Sequence, residues 1–326
     1  MCTAISLSYG DHYFGRNLDL EYSYRESVTI TPRNFPLHFR HTTLQPTHHA
    51  LIGMAYIQDN YPLYYEATNE KGLSMAGLNF PSNAVYHPFR EGAHNVTPFE
   101  LIPWLLGQCS TVGEAAKLLA DTNVLNESFS AVLPLSPLHW IIADRTQSIT
   151  VESTSDGLHV YPNPVGVMTN NPPFPKQMFH LNQYMNLTRE DPKGHFAAAA
   201  DMTIYSHGMG AVGLPGDWSS PSRFVKAVFM KSCTESDTHR PDRPDAVSQF
   251  FHLLDAVAYP WGSVVAGDRF SSTVYSCCCD TTGGIYYYKT YENSQISAVD
   301  MHRENLAGSQ LISYSLVKGQ QIHWQN

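Results

Sequence analysis

Cys2 follows the initiator Met1 directly. A cysteine at the second position can become the first residue, because methionine is trimmed when its neighbour is small. The chain would then begin with a thiol and a free α-amine on one residue. A thiolate is a nucleophile whose parent thiol has a pKa of about 8.5, and an α-amine titrates near ~7.7–8.0. Nucleophile and base would sit a few bonds apart with nearly matched pKa values, so the amine can play the part that histidine plays in a triad. Taken alone, Cys2 reads as easily as an accident of the start codon.

The residues around it raise the chemical reading. Cys2-Thr3-Ala4-Ile5-Ser6-Leu7 has the composition of a strand, Tyr9-Gly10-Asp11 is a turn, and His12-Tyr13-Phe14-Gly15-Arg16 returns. The hairpin brings Arg16 and Asp19 of Arg16-Asn17-Leu18-Asp19 back towards Cys2. A guanidinium favours a nearby thiolate, and a carboxylate holds a terminal ammonium.

The elements that must position these residues follow from pattern. Strands are expected near 3–8, 12–17, 27–32, 51–57, 63–68 and 73–79, then a polar loop over about 80–97. Thr97-Pro98-Phe99-Glu100 and Thr111-Val112-Gly113-Glu114 are capping boxes, opening helices to about Gln108 and to Leu119 or Ala120. Strands resume near 138–143, 148–153 and 158–161, and a helix is expected around 176–186. Ser220-Pro221-Ser222-Arg223 starts a helix to about Lys231, and another spans about 244–258 after the loop His239-Arg240-Pro241-Asp242-Arg243. Strands close the chain near 272–279, 284–290, 295–300 and 310–315. Segregated runs of strands and helices indicate an α+β protein with antiparallel sheets, two of them packed together with helices on both outer faces. The chain has 326 residues without linker, repeat or low-complexity tract, which favours a single domain.

Composition excludes several classes. The net charge is −9 and no basic run occurs, against nucleic acid or an anionic membrane as partner. No apolar stretch approaches the ~20 residues of a membrane span, and no signal peptide is visible; the expected location is cytoplasmic. The six cysteines, Cys2, Cys109, Cys233 and the run Cys277-Cys278-Cys279, form no CxxC. The run lies in a strand, so its thiols face opposite sides and read as buried and reduced. The 16 histidines are scattered without HExxH, so neither metal nor cofactor is expected. Gly208-Met209-Gly210-Ala211-Val212-Gly213 fits a phosphate loop poorly, since Pro215 interrupts any helix after it, and reads as a surface loop.

Seven segments in order carry a resemblance: Met1-Cys2-Thr3-Ala4, Phe14-Gly15-Arg16-Asn17-Leu18-Asp19, Asn69-Glu70-Lys71-Gly72-Leu73, Ala76-Gly77-Leu78-Asn79-Phe80-Pro81, Thr169-Asn170-Asn171-Pro172, Gly213-Leu214-Pro215-Gly216-Asp217 and Pro221-Ser222-Arg223-Phe224. Over essentially its whole length the chain resembles the choloylglycine hydrolase family of N-terminal nucleophile hydrolases, and within it the bile salt hydrolases. The resemblance implies a four-layer αββα sandwich that hydrolyses the amide of glycine- or taurine-conjugated bile salts, assembled as a homo-oligomer, a tetramer. It implies Cys2 as nucleophile, Arg16 and Asp19 beside it, Asn79 and Asn171 at the oxyanion hole and substrate amide, and Arg223 completing the network. Leu20, Tyr24, Tyr65 and Phe129 are the apolar residues expected near the steroid. The nearest alternative is a penicillin V acylase, although similar acylases tend to carry tyrosine where this chain has Asn79. A non-catalytic binder of amphipathic small molecules is the alternative from another class. It has no reason to keep a nucleophile beside a charge pair.

Overall fold

The computed structural model describes residues 1–42, 46–194, 197, 199–235 and 244–326. The loop expected at 239–243 lies outside them. Among the described residues the strands are β1 (Cys2–Tyr9), β2 (Asp11–Leu20), β3 (Ser27–Thr31), β4 (Leu51–Gln58), β5 (Tyr61–Asn69), β6 (Ser74–Asn79), β7 (His94–Val96), β8 (Thr122–Val124), β9 (Leu138–Ala143), β10 (Ser148–Thr154), β11 (Gly157–Pro162), β12 (Val167–Met168), β13 (Val264–Ala266), β14 (Arg269–Asp280), β15 (Ile285–Thr290), β16 (Asn293–Asp300) and β17 (Ile312–Ser315). The helices are α1 (Leu101–Gln108), α2 (Val112–Leu119), α3 (Phe174–His180), α4 (Ser220–Glu235) and α5 (Ala246–Asp255).

One sheet runs β12-β1-β2-β14-β15-β16, with β13 on the flank of β14. The other runs β11-β10-β9-β6-β5-β4-β3-β17. Every pairing within the two is antiparallel. Three apolar clusters reveal the layers. Cys2, Ala4, Phe14 and Cys277 of the first sheet meet Ile30, Ile52, Ala76 and Ile141 of the second between the sheets. Leu101, Trp104 and Val112 pack on the outer face of the second sheet, against Met75, Trp140 and Val151. Phe174, Phe224 and Phe250 pack on the outer face of the first, against Ile5 and Leu7. The order is therefore helix, sheet, sheet, helix, as expected.

Period-two alternation along β1 explains this placement. Ala4 points between the sheets while Ile5 and Leu7 point to the helices. Cys277 and Cys279 likewise face the inter-sheet core and Cys278 the helices. Burial raises all three thiols, Cys279 to about 12. Their expected character as buried, reduced thiols is what the structure has.

Boundaries shift where nonlocal bonds decide them. α1 opens at Leu101 and not near Pro98, because the Glu100 carboxylate accepts from Thr97 Oγ1 (2.7 Å) and from Arg40 N (2.8 Å), tying the turn to another loop. Thr111 caps α2 as the box predicts, accepting from Glu114 N at 3.2 Å. α3 opens two residues before its expected start and gives way to a 3-10 turn at Leu181–Tyr184. α4 continues past Lys231 to Glu235, whose side chains pair at 2.8 Å one turn apart. The short strands β7, β8, β12 and β13 have no counterpart in the sequence reading, and β7 lies inside the expected polar loop. The glycine-rich segment forms a 3-10 turn at Met209–Ala211.

The β1–β2 hairpin closes at Gly10 with φ +83°, a conformation that suits glycine. Its register sets Cys2 opposite Leu18 and Ala4 opposite Arg16. β2 packs so closely on β14 that a Cβ at Gly15 would lie 1.9 Å from the Cys277 carbonyl oxygen. Gly15→Ala should therefore destabilise the fold at or above the upper end of the ~1–3 kcal/mol typical of overpacking; urea unfolding measures it, and an unchanged midpoint refutes it.

At the far end of the hairpin, His12 bridges Ser6 Oγ (2.9 Å) and Thr281 Oγ1 (2.8 Å). Burial lowers its pKa from 6.5 to about 4. The folded imidazole stays neutral where the unfolded one takes a proton, so its contribution is present above pH 6.5 and is lost as pH falls to about 4. At ~1.4 kcal/mol per unit the loss comes to about 3 kcal/mol. The stability difference between the parent and His12→Gln should shrink by that amount between pH 7 and 4 in chemical unfolding; a pH-independent difference would contradict it.

Candidate active site

Cys2 is 3 % exposed and begins β1, which lies between β2 and β12. Its backbone is held from three sides. The amide donates to Asn170 Oδ1 at 2.9 Å. The carbonyl accepts from Arg223 Nη1, which also donates to Thr3 Oγ1. Met1 pairs with Asp19 through both backbone groups: the ammonium donates to Asp19 O at 2.5 Å and Asp19 N donates to Met1 O at 2.9 Å.

Arg223 reaches the site from the first turn of α4. The Asp217 carboxylate fixes that turn, accepting from Ser219 N (2.9 Å) and Ser222 Oγ (2.6 Å), and these bonds lower its pKa to about 2. Besides Cys2, Arg223 donates to Asn170 Oδ1 at 2.8 Å and to Trp218 O at 3.0 Å. Its guanidinium lies over the Tyr259 ring, 5.3 Å from the centroid. The planar fork meets several acceptors at once, which lysine would not do.

Alternation divides the charges between the faces of the sheet. Arg16 shares the inner face with Cys2, the diagonal neighbour that a long side chain can reach. Arg16 Nη1 donates to Gly77 O (2.6 Å) and Tyr65 O (3.2 Å) and lies 3.8 Å from Glu66 Oε2. Burial disfavours its charge, yet Cys2, Tyr275 and Glu66 around it hold its pKa above the ordinary guanidinium value. Glu66 accepts from the hydroxyls of Tyr275 (2.8 Å) and Tyr286 (2.6 Å). Asp19 lies on the other face with Thr3 and Arg223; its Oδ1 accepts from Thr273 Oγ1 at 2.6 Å. Burial raises the Asp19 carboxyl, opposed by Arg223, the terminal ammonium, Thr273 and Arg16. Arg16 Nη2 and Asp19 Oδ2 are buried and have no hydrogen-bond partner among the described residues. Unpaired buried polar atoms are uncommon and mark places where strain or function is kept.

The sequence reading sets Asn171 at the oxyanion hole and substrate amide; in the structure the asparagine side chain that meets Cys2 is that of Asn170. Asn170 Nδ2 donates to Asn79 O at 2.7 Å, which joins the end of β6 to the loop after β12. Asn171 turns away and donates to Pro81 O at 2.8 Å. The two asparagines lie at a bend between β12 and α3, where adjacent side chains take different directions. Thr273, Glu66 and Thr3 also belong to the site and are absent from the sequence reading. Only Glu66 leaves a trace there, as a lone charge in an otherwise apolar and aromatic strand.

Of the four residues expected at the steroid, Leu20 and Tyr65 pack against the cluster that contains Cys2. Tyr24 is 39 % exposed and meets Tyr22, hydroxyl to hydroxyl, at 3.0 Å. Phe129 stands in a separate aromatic group with Phe99 and Tyr61, ring centroids 5.1 and 6.0 Å away. A cavity of about 700 Å³ opens elsewhere, along α2, β8 and β11, and no residue around Cys2 lines it. Among the described residues no three His, Cys, Asp or Glu side chains are placed to hold a metal ion, and no helix is long and apolar enough to cross a membrane.

A model of linear amide C–N hydrolases, choloylglycine hydrolase family, matches residues 2–314. The chain belongs to this family. It is 50% identical over 317 residues to a bile salt hydrolase/transferase of Lactiplantibacillus plantarum, covering 97% of each chain. It is 37% identical to the bile salt hydrolase/transferase of Clostridium perfringens, covering 100% of both. The solved structure of a mutant conjugated bile acid hydrolase from Clostridium perfringens superposes with a TM-score of 0.93 at 37% identity, covering 100% of both chains. A penicillin V acylase from Agrobacterium tumefaciens shares the fold, with a TM-score of 0.76 at 16% identity over 98% of this chain and 92% of that one.

In this choloylglycine hydrolase the two asparagines should separate in mutagenesis. Removing a donor aimed at a developing oxyanion costs ~10²–10³ in kcat. Asn170→Ala should fall in that range and Asn171→Ala by less than about tenfold. Steady-state amide hydrolysis decides, and the reverse ranking would return the role to Asn171.

Proposed function

We propose that this chain is a bile salt hydrolase that cleaves the amide of conjugated bile salts through Cys2, yielding the free bile acid and glycine or taurine. The observation that carries the reading is the buried Cys2 between Arg16 and the Asn170–Arg223 pair, in a chain half identical to a bile salt hydrolase/transferase. Loss of Met1 would free the Cys2 amine beside the unpaired Asp19 Oδ2 and the Asp19 carbonyl. The thiolate then attacks the amide carbon, facing the fixed positive charge of Arg16. Negative charge builds on the carbonyl oxygen and is met by donors of Asn170 and Asn79. The C–N bond breaks as the α-ammonium passes its proton to the departing nitrogen, leaving a thioester. Water, deprotonated by the amine, releases the bile acid; an amine in place of water would give the transfer reaction that the relatives' names include.

Leu20 and Tyr65 are proposed to contact the steroid from the Cys2 side, with Tyr24 and Phe129 further out. Both sheets draw strands from both halves of the chain, β17 pairing with β3 and β14 with β2, which supports one domain. A cytoplasmic tetramer is the assembly we infer from the family resemblance; a monomer mass in light scattering would refute it.

Cys2→Ala should abolish turnover and leave the unfolding midpoint within a few degrees, and mass spectrometry of active protein should find Met1 absent. Full activity with Met1 retained would remove the amine from the mechanism. Conjugated bile salts should exceed penicillin V by at least about tenfold in kcat/KM, or ~1.4 kcal/mol of transition-state stabilisation. Amino acid release compared with phenoxyacetate release measures this, and equal or better cleavage of penicillin V would move the assignment to an acylase. Phe129→Ala should chiefly raise KM for bile salts, since it removes packing shared by ground and transition states.

A further inference from the structure

Behind the two asparagines lies a buried pair that the mechanism above does not use. His139 on β9 and Glu152 on β10 are each 1 % exposed. In the antiparallel register Val151 stands opposite Trp140, so Glu152 and His139 come next and share a face. That face looks between the sheets, since Trp140 packs on the helix side. His139 Nδ1 lies 3.1 Å from Glu152 Oε1, which also accepts from Phe174 N at 2.9 Å. His139 Nε2 lies 3.0 Å from Thr169 O. A carbonyl can only accept, so Nε2 carries a hydrogen and donates it.

Two loops meet on this one ring. Thr169 immediately precedes Asn170, whose side chain holds the Cys2 amide and the Asn79 carbonyl. On the other side the Phe80 ring lies flat against the imidazole, centroids 4.3 Å apart and planes 4° apart, and Phe80 immediately follows Asn79. Leu78, one residue before Asn79, pairs with His139 across the sheet. Both asparagine-bearing segments are therefore referenced to His139, by a hydrogen bond on one side and by a ring face on the other. Among the described residues the hydrogen bonds and ion pairs of His139 and Glu152 do not include Arg16 or Asp19.

We propose that His139, oriented by Glu152, is the positioning residue for the amide-binding half of the site: it sets Asn170 and Asn79 against the scissile carbonyl and leaves the Cys2 thiol with its charged neighbour Arg16. The proposal rests on the hydrolase reading. A residue that merely supports the fold would lower every property together. A positioning residue for the oxyanion donors separates two measurements, the acyl-transfer rate and the reactivity of the Cys2 thiol towards a small alkylating agent that needs no oxyanion hole.

The test uses the full chain with Met1 removed, with bile salt hydrolysis and the iodoacetamide alkylation rate of Cys2 read by peptide mapping. Mapping reads Cys2 apart from Cys233, which is half-buried and lies on another peptide, and from Cys109, Cys277, Cys278 and Cys279, whose thiols burial raises. His139→Phe keeps a flat ring against Phe80 and loses the donor to Thr169. It should lower kcat by about thirtyfold or more, within reach of a lost oxyanion donor, with KM within about threefold and alkylation within about twofold. His139→Gln, whose amide can reach the Nε2 position, should recover kcat to within about fivefold of the parent. A folded His139→Phe with parental kcat overturns the proposal, and so does a parallel fall in alkylation. If His139→Phe does not fold, Glu152→Gln decides by the same two readings: reduced kcat with unchanged alkylation supports the proposal, and unchanged kcat or a parallel fall in alkylation overturns it. A parent that releases no amino acid from bile salts overturns the hydrolase reading and the proposal with it; an active parent with an indifferent variant overturns the proposal alone.

Discussion

A nucleophile at the end of a chain works only if that end is held still, and chain ends ordinarily fray. Much of the structure around Cys2 answers this constraint. β1 is an interior strand, paired with β12 on one side and β2 on the other. Arg223 holds the Cys2 carbonyl, Asn170 holds its amide, and Asp19 grips the backbone of Met1. Helix α4 is in turn fixed at its start by Asp217 and packed on Ile5 and Leu7 through Phe224. The most mobile part of an ordinary domain has become one of its most enclosed.

Four ionisable side chains, Arg16, Asp19, Glu66 and Arg223, are removed from water to achieve this. Buried charges cost several kcal/mol each unless they are paired and hydrogen-bonded. Here the compensation is shared across a network: Glu66 takes two tyrosine hydroxyls and faces Arg16, while Asp19 takes Thr273 and lies in the field of Arg223. The compensation is incomplete at Arg16 Nη2 and Asp19 Oδ2, which have no hydrogen-bond partner among the described residues. A low-dielectric site strengthens whatever these atoms meet. Strand alternation then sorts their duties, with Arg16 on the thiol's face of the sheet and Asp19 on the opposite face, beside the backbone where the amine would be freed.

The layers outside the site serve its geometry as well as the core. The second sheet contributes the Gly77 and Tyr65 carbonyls to Arg16 and ends β6 at Asn79, so the gap between the sheets is also the gap between Cys2 and Asn79. The segment from β12 to α4 closes that gap with Thr169, Asn170 and Arg223, tied together by Ser220 and Gln177. Site and core are one packing problem, which is why the site residues come from parts of the chain as distant as Cys2 and Thr273.

What the sequence determined by itself was local. The turn at Gly10, the alternation through Cys277-Cys278-Cys279, the Thr111 cap and the order of strands and helices rest on interactions within a few residues, so their signals are present in the chain as written. The closeness of Arg16 and Asp19 to Cys2 was legible for the same reason: a single hairpin connects them. Tertiary structure decided what depends on distant partners. Thr273 meets Asp19 across 254 positions and carries no mark of it. β12 is a strand of two residues only because β1 lies beside it. α1 starts where Glu100 is engaged by Arg40. Whether Asn170 or Asn171 faces Cys2 turns on the course of the bend between β12 and α3. No pattern of residue types sets that course; the hydrogen bond from Asn170 N to Ser220 Oγ and those from Gln177 and His139 to the Asn170 and Thr169 carbonyls do.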